Sequence, residues 1–156
     1  MGLKADRGSG AKHFASLLPR PFSCSEHRRR GLMKKNVLVI EDEESIREYM
    51  CYILQKNGYN VDDAKNGTEG LEHFTRGKVD LVITDMVMPD KDGGEIMQTI
   101  RKVDPAVAVI AVSGAMSFTE LVAEAGRDGA DEVIQKPFTE NEFLKTIRRC
   151  LKKSPA

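Results

Sequence analysis

Four short stretches run apolar or β-branched residues straight into a polar side chain: VLVIEDEE at 37–44, VITDMVMPD at 82–90, VIAVSGA at 109–115 and VIQKPF at 133–138. The polar groups are Glu41 and Asp42, then Asp85, Ser113 and Lys136. Brought to one place, they have a definite chemistry. Carboxylates crowded together repel and raise one another's pKa. A hard divalent cation relieves that repulsion, and oxygen ligands with room for water suit Mg²⁺. Lys136 adds a mobile positive charge and Ser113 a hydroxyl donor. A carboxylate, a cation, an ammonium and a hydroxyl are the parts needed to receive a phosphoryl group, a reaction governed by positioning and charge neutralisation. Aspartate can serve as its nucleophile, giving an aspartyl phosphate.

The elements around these residues decide whether they meet. Short β-branched runs fall at 36–40, 60–64, 79–84, 107–112 and 131–135. The first, third and fourth are nearly all apolar, as expected of strands buried on both faces. Helical spacing lies between them: Ile46, Met50, Ile53 and Leu54, with Gly58 to stop the helix; Leu71 and Phe74; Ile96, Ile100 and Val103. Ser117 with Glu120, and Thr139 with Glu142, have the spacing of capping boxes before the last two helices. The order βαβαβαβαβα implies an α/β, doubly wound (βα)5 sandwich on a parallel sheet with right-handed crossovers. In such sheets ligands bind beyond the carboxyl ends of the strands. All four polar segments fall at that edge, although alternation alone would let them scatter to either one.

Composition sets the outer limits. The 156 residues fit one domain with a tail, and no apolar run approaches the roughly 20 residues needed to span a bilayer. Zero net charge conceals an asymmetry: residues 1–33 carry seven Lys/Arg and two acids, whereas 34–156 carry 17 and 22. The expected domain, 34–153, is therefore acidic and not expected to bind nucleic acid directly. Residues 1–33, basic and without sustained periodicity, are read as a disordered extension, with Met33 an alternative natural start. Cys24, Cys51 and Cys150 form neither a disulfide framework nor a metal-ligand pair, which fits a reducing cytoplasm.

The four motifs, in order and at these spacings, resemble the receiver domain of two-component response regulators, the chemotaxis-regulator type, over about residues 34 to 153. The resemblance implies a flavodoxin-like sheet of strand order 2-1-3-4-5. It implies that Asp85 is the phosphoacceptor and that Asp42 and Asp85 bind Mg²⁺ directly. Glu41 would act through water, and the backbone carbonyl of Val87 would complete the protein ligands. Ser113 would bond the phosphoryl oxygen and Lys136 pair with it. Lys136–Pro137 matches a bond that is cis in the family. Val133 stands where many relatives carry the Tyr or Phe that rotates on activation, so aromatic coupling is not expected. The implied donor is a histidine kinase or a histidine phosphotransfer protein. The implied output is a downstream protein held on the helix 4–strand 5–helix 5 face.

The resemblance also gives a lifetime. Val87 and Ala115 occupy positions two after Asp85 and two after Ser113, and neither side chain can orient an attacking water. Phosphate loss slower than is usual for receivers is expected. Rapid decay of the phosphorylated protein, unchanged by Val87→Asn, counts against that expectation.

Plainer roles are expected elsewhere: Glu43 and Glu44 as first-turn acids, Asp90 and Asp92 as turn residues, His73 as a surface or packing residue. Two functions compete with the signalling module. A Mg²⁺-dependent phosphatase using Asp85 as nucleophile usually carries a second aspartate two residues on, where this chain has Val87. A constitutive binding module that no longer takes phosphate fits Val133 but not the complete set of polar residues. The protein is expected to be a phosphoacceptor rather than an enzyme. With the sequence ending at Ala156, its output is expected through protein binding or phosphorelay.

Overall fold

The computed structural model describes residues 34–76 and 78–153. The basic segment 1–33, with Cys24, lies outside the described residues. Five strands alternate with five helices: β1 (Asn36–Ile40), α1 (Glu44–Lys56), β2 (Asn60–Ala64), α2 (Gly67–Arg76), β3 (Leu81–Asp85), α3 (Gly93–Val103), β4 (Ala108–Ser113), α4 (Phe118–Asp128), β5 (Glu132–Gln135) and α5 (Glu140–Lys153). The strands form one parallel sheet in the order β2-β1-β3-β4-β5, as the resemblance implied.

Central strands β3 and β4 are buried along their whole length, and β1 along all but its first residue. That burial explains their unbroken apolar runs. The edge strands β2 and β5 are mostly intermediate in exposure and carry the charged residues Asp62, Asp63 and Glu132. Along β1 the side chains alternate between faces. Val37 and Val39 join a core with Met50, Ile53 and Leu54 of α1 and Phe143, Ile147 and Cys150 of α5. Leu38 and Ile40 join a second core with Phe74 of α2, Ile96, Met97 and Ile100 of α3, and Leu121 and Ala125 of α4. Two layers of helix thus cover one sheet, and the strand ends are held rigidly.

The helix signals act locally. Ser117 accepts from Glu120 N while Glu120 returns to Ser117 N, completing the capping box of α4. Thr139 and Glu142 do the same ahead of α5. Gly58, just past α1, has φ 86, a left-handed conformation open to glycine. The third strand begins at Leu81 rather than 79. Asp80 instead turns its carboxylate onto Asn36 N at 2.8 Å and Lys35 Nζ at 3.2 Å.

The β5–α5 edge carries one testable electrostatic contact. Glu132 receives Arg149 Nη2 and Lys153 Nζ, each at 2.6 Å, and Arg149 Nε at 2.8 Å. The Arg149 hydrogen bonds, helped by Lys153, hold the Glu132 carboxyl below its ordinary value of 4.5. A depressed acid stabilises the fold above its unfolded pKa and ceases to as pH falls through the folded one. Both cations are about half exposed, so screening limits the effect to about 0.5–1 kcal/mol. Glu132→Gln is expected to lower the free energy of urea unfolding by that amount at pH 7. Its deficit should close as pH drops below 4.5; an equal deficit at both pH values would remove the charge from the explanation.

Candidate functional site

Parallel topology puts every strand's carboxyl end on the same rim. β1 runs into Glu41, fully buried, and Asp42, exposed. β3 ends on Asp85, 7% exposed; β4 ends on buried Ser113; Lys136 follows β5. One carboxylate oxygen from each of Glu41, Asp42 and Asp85 lies within 4.8 Å of the other two. Lys136 Nζ sits 2.8 Å from Asp85 Oδ2 and 2.7 Å from Glu41 Oε2. Glu41, Asp42, Asp85 and Lys136 therefore come together at this rim, and Ser113 ends β4, the strand paired beside β3.

The loops that carry them are tied down from several directions. Arg47 of α1 donates to the Glu41 carbonyl at 2.9 Å and to Asp63 of β2 at 2.9 Å, fixing the β1–α1 loop. Val87 N donates to Asp85 Oδ1 at 3.0 Å. Gly93 N donates to the Met86 carbonyl at 3.0 Å. A Cβ on Gly93 would run into the Asp85 carbonyl oxygen and lie 2.8 Å from Met86 Cα, so the loop folds back only because residue 93 has none. Ala115 N donates to Ser113 Oγ at 3.2 Å, and Lys136 N to the Ser113 carbonyl at 2.9 Å. Lys136–Pro137 is cis. Phe138 then stacks between Tyr49 and Phe143, with centroids 6.2 and 5.1 Å apart, anchoring the segment that presents the lysine.

The electrostatics follow from burial. Loss of water pushes the Glu41 carboxyl up to about 7; the Asp85 charge adds to this and Lys136 opposes it. For Lys136, burial alone would lower the pKa, but its bonds to Asp85 and Glu41 outweigh burial and hold it above its ordinary value. Lys136 Nζ lies 2.7 Å from the buried Glu41 Oε2 and 2.8 Å from Asp85 Oδ2, so one ammonium is shared by two carboxylates. Three carboxylates against one ammonium leave an excess of two negative charges when all are ionised. Oxygen-only donors and that excess of negative charge together fit a hard divalent cation. The residues that would hold it are Glu41, Asp42 and Asp85.

The receiver domain of response regulators is a family whose sequence pattern matches residues 37–148. This chain belongs to that family. Its fold agrees: a CheY-like response regulator receiver domain protein from Methanospirillum hungatei JF-1 superposes with TM-score 0.74 at 29% identity, covering 78% of this chain and 97% of that one. A receiver domain from Clostridium thermocellum gives TM-score 0.71 at 34% identity, covering 76% and 95%. Among curated relatives, the uncharacterized transcriptional regulatory protein YkoG of Bacillus subtilis is 35% identical over 122 residues, 78% of this chain and 53% of that protein. The response regulator MprA of Mycobacterium leprae is 34% identical over 119 residues, 76% of this chain and 51% of that protein. The chain thus spans about half the length of the curated relatives it matches.

Some receiver residues fall in roles that the sequence reading missed. Asp90 is more than a turn residue. It accepts from Gly67 N at 3.2 Å, Thr68 N at 3.1 Å and Thr68 Oγ1 at 3.2 Å, capping α2 from the loop after Asp85. Asp92 is the N-cap of α3, accepting from Glu95 N. Glu43 occupies the N-cap position of α1 rather than its first turn, and its side chain makes no capping bond. The spacing of Asp92 and Glu95 signals the second of these; the 22- and 23-residue separations of the Asp90 contacts offer no such signal. His73 Nδ1 lies 3.2 Å from Asp62, away from the rim. Val133 lies on β5 opposite Ala111 and packs partly against the α3–α4 core.

Proposed function

We propose that Asp85 accepts a phosphoryl group from the phosphohistidine of a histidine kinase or histidine phosphotransfer protein. Modification of Asp85 then changes the binding face built from α4, β5 and α5. The observation that carries this reading is the Lys136 contact with Asp85 at 2.8 Å inside a three-carboxylate notch. The contact places an ammonium where it can neutralise charge on a phosphoryl group carried by Asp85.

The residues divide the step between them. An Asp85 carboxylate oxygen attacks phosphorus; the P–N bond breaks, and its electron pair leaves with the imidazole. Val87 N, already on Asp85 Oδ1, fixes the carboxylate plane. Lys136 turns from the carboxylate to a phosphoryl oxygen, and Ser113 Oγ donates to another. Mg²⁺, when bound, would neutralise charge on the transferring oxygens. Asp42 and Asp85 would hold it directly, with Glu41 acting through water and the Val87 carbonyl completing the set. Valine at 133 leaves the output face to respond through the backbone of the Ser113 loop rather than through a rotating ring. Exposed Phe118 and Val122 on α4 give that face apolar contact area for a downstream protein. Among the described residues no helix is long and apolar enough to cross a membrane, and a cytoplasmic site of action is part of this proposal.

The test is to incubate the full chain with acetyl phosphate and Mg²⁺ and weigh it intact. One added phosphoryl group per chain, about +80 Da, supports the reading. An unchanged mass supports a constitutive binding module. Continued release of phosphate from monoesters would indicate a phosphatase.

A further inference from the structure

A cavity of about 280 Å³ opens beside the rim, between the β3–α3 loop, the β4–α4 loop and helix α4. Its apolar wall is made of Met86, Met88 and Met116, with Val87. Its polar wall is Asp92, Glu124 and Asp128, and no basic residue lines it. Among the described residues none of these three acids pairs with a lysine or arginine. Asp92 Oδ1 is taken by Glu95 N, and Asp128 Oδ1 by Gln98 Nε2 at 2.8 Å; each keeps its second oxygen. Among the described residues Glu124 has no hydrogen-bond or ion-pair partner.

Size and chemistry restrict the occupant. The volume lies below the roughly 300–1,000 Å³ of pockets for drug-sized ligands, which suits one side chain. Thioethers are adaptable and polarizable, and they repack around whatever apolar body enters. Three unpaired carboxylates call for a cation. Arginine combines an apolar stem with a weakly hydrated planar fork that can engage more than one carboxylate. We propose that this cavity receives an arginine side chain of a partner protein.

The walls also make the cavity sensitive to the phosphoacceptor site. Met86 and Val87 follow Asp85 directly, and Val87 N is bonded to Asp85 Oδ1. Met116 ends the loop whose Ala115 N is bonded to Ser113 Oγ, and its carbonyl accepts from Gln135 at 2.8 Å. A phosphoryl group on Asp85 competes for both anchors, so it moves both methionine walls. By linkage, occupancy of the cavity and phosphorylation shift one another by the same factor. This coupling rests on the phosphoacceptor reading; the binding itself does not.

The full chain with ¹³C-methyl methionine would be titrated with N-butylguanidinium, followed by NMR. Pentanol and pentanoate are the neutral and anionic controls. Two short blocked peptides differing only in arginine against citrulline follow. Saturable shifts at Met86, Met88 and Met116 are expected for the guanidinium and the arginine peptide. They should weaken about tenfold in Glu124→Gln/Asp128→Asn, whose side chains keep their shape. Equal binding of pentanol or citrulline, or shifts confined to Met50 and Met97, would overturn the proposal. So would concentration-dependent shifts without any probe, which would mark the face as a contact between copies of this chain. Binding of the peptide that is unchanged by acetyl phosphate, in protein shown by mass to be phosphorylated, would overturn the coupling alone. Absence of the mass adduct would instead remove the phosphoacceptor reading and leave the binding result standing.

Discussion

Asp85→Ala is expected to abolish the acetyl phosphate adduct completely while leaving the fold intact. The loss should be complete because no other carboxylate shares the position of Asp85. Glu41 is fully buried behind Lys136, and Asp42, the exposed member, projects from the neighbouring strand end. The fold should survive because Asp85 stands in a crowd of like charge. Its removal leaves Lys136 paired with Glu41 at 2.7 Å and takes away a charge that helps to raise the Glu41 carboxyl. Sites of this kind commonly hold local charge repulsion that function requires. Thermal unfolding without divalent cation should therefore shift by no more than a few degrees. The stabilisation conferred by Mg²⁺, which grows with the ratio of its concentration to its Kd, should shrink markedly. An adduct persisting in Asp85→Ala would move the phosphoacceptor elsewhere. A collapse in unfolding temperature would make Asp85 a structural residue.

Phe143→Ala is expected to cost about 3–5 kcal/mol in urea unfolding, the range for deleting a fully buried aromatic ring. Phe143 has no exposed surface and is among the largest fully buried side chains. It also carries Phe138 at 5.1 Å in a near-parallel stack. Phe138 lies two residues beyond Lys136, so the missing ring also loosens the segment that presents the ammonium to Asp85. Phosphorylation of the folded fraction should accordingly be slower than in the wild type. Phe143→Leu, which refills most of the volume without the stack, separates the two effects. It should recover most of the stability and less of the phosphorylation rate. Full recovery of both would confine Phe143 to packing.

What the sequence determined by itself was local or periodic. The capping pairs Ser117–Glu120 and Thr139–Glu142 act across three residues, so their spacing is their mechanism. The unbroken apolar runs of β1, β3 and β4 record burial on both faces, and strict strand–helix alternation forces parallel pairing. Parallel pairing sends all carboxyl ends to one rim, which is why Glu41, Asp42, Asp85, Ser113 and Lys136 could be gathered before any coordinates. Strand order did not follow from periodicity and came from the family resemblance.

Tertiary structure alone decided the rest, because those interactions join residues far apart in sequence. Asp85 and Lys136 are separated by 51 positions and touch at 2.8 Å. Arg47 of α1 reaches Asp63 of β2, 16 positions on, at 2.9 Å. Asp90 caps a helix that begins 23 residues earlier. Burial of Glu41, which lifts its carboxyl toward neutrality, depends on what packs above β1 rather than on the residue itself. The methionine-lined cavity likewise exists only where the β3–α3 and β4–α4 loops converge on α4. Periodicity reports which face of an element is dry, but the contacts between loops are set by packing of the whole sheet and its helices.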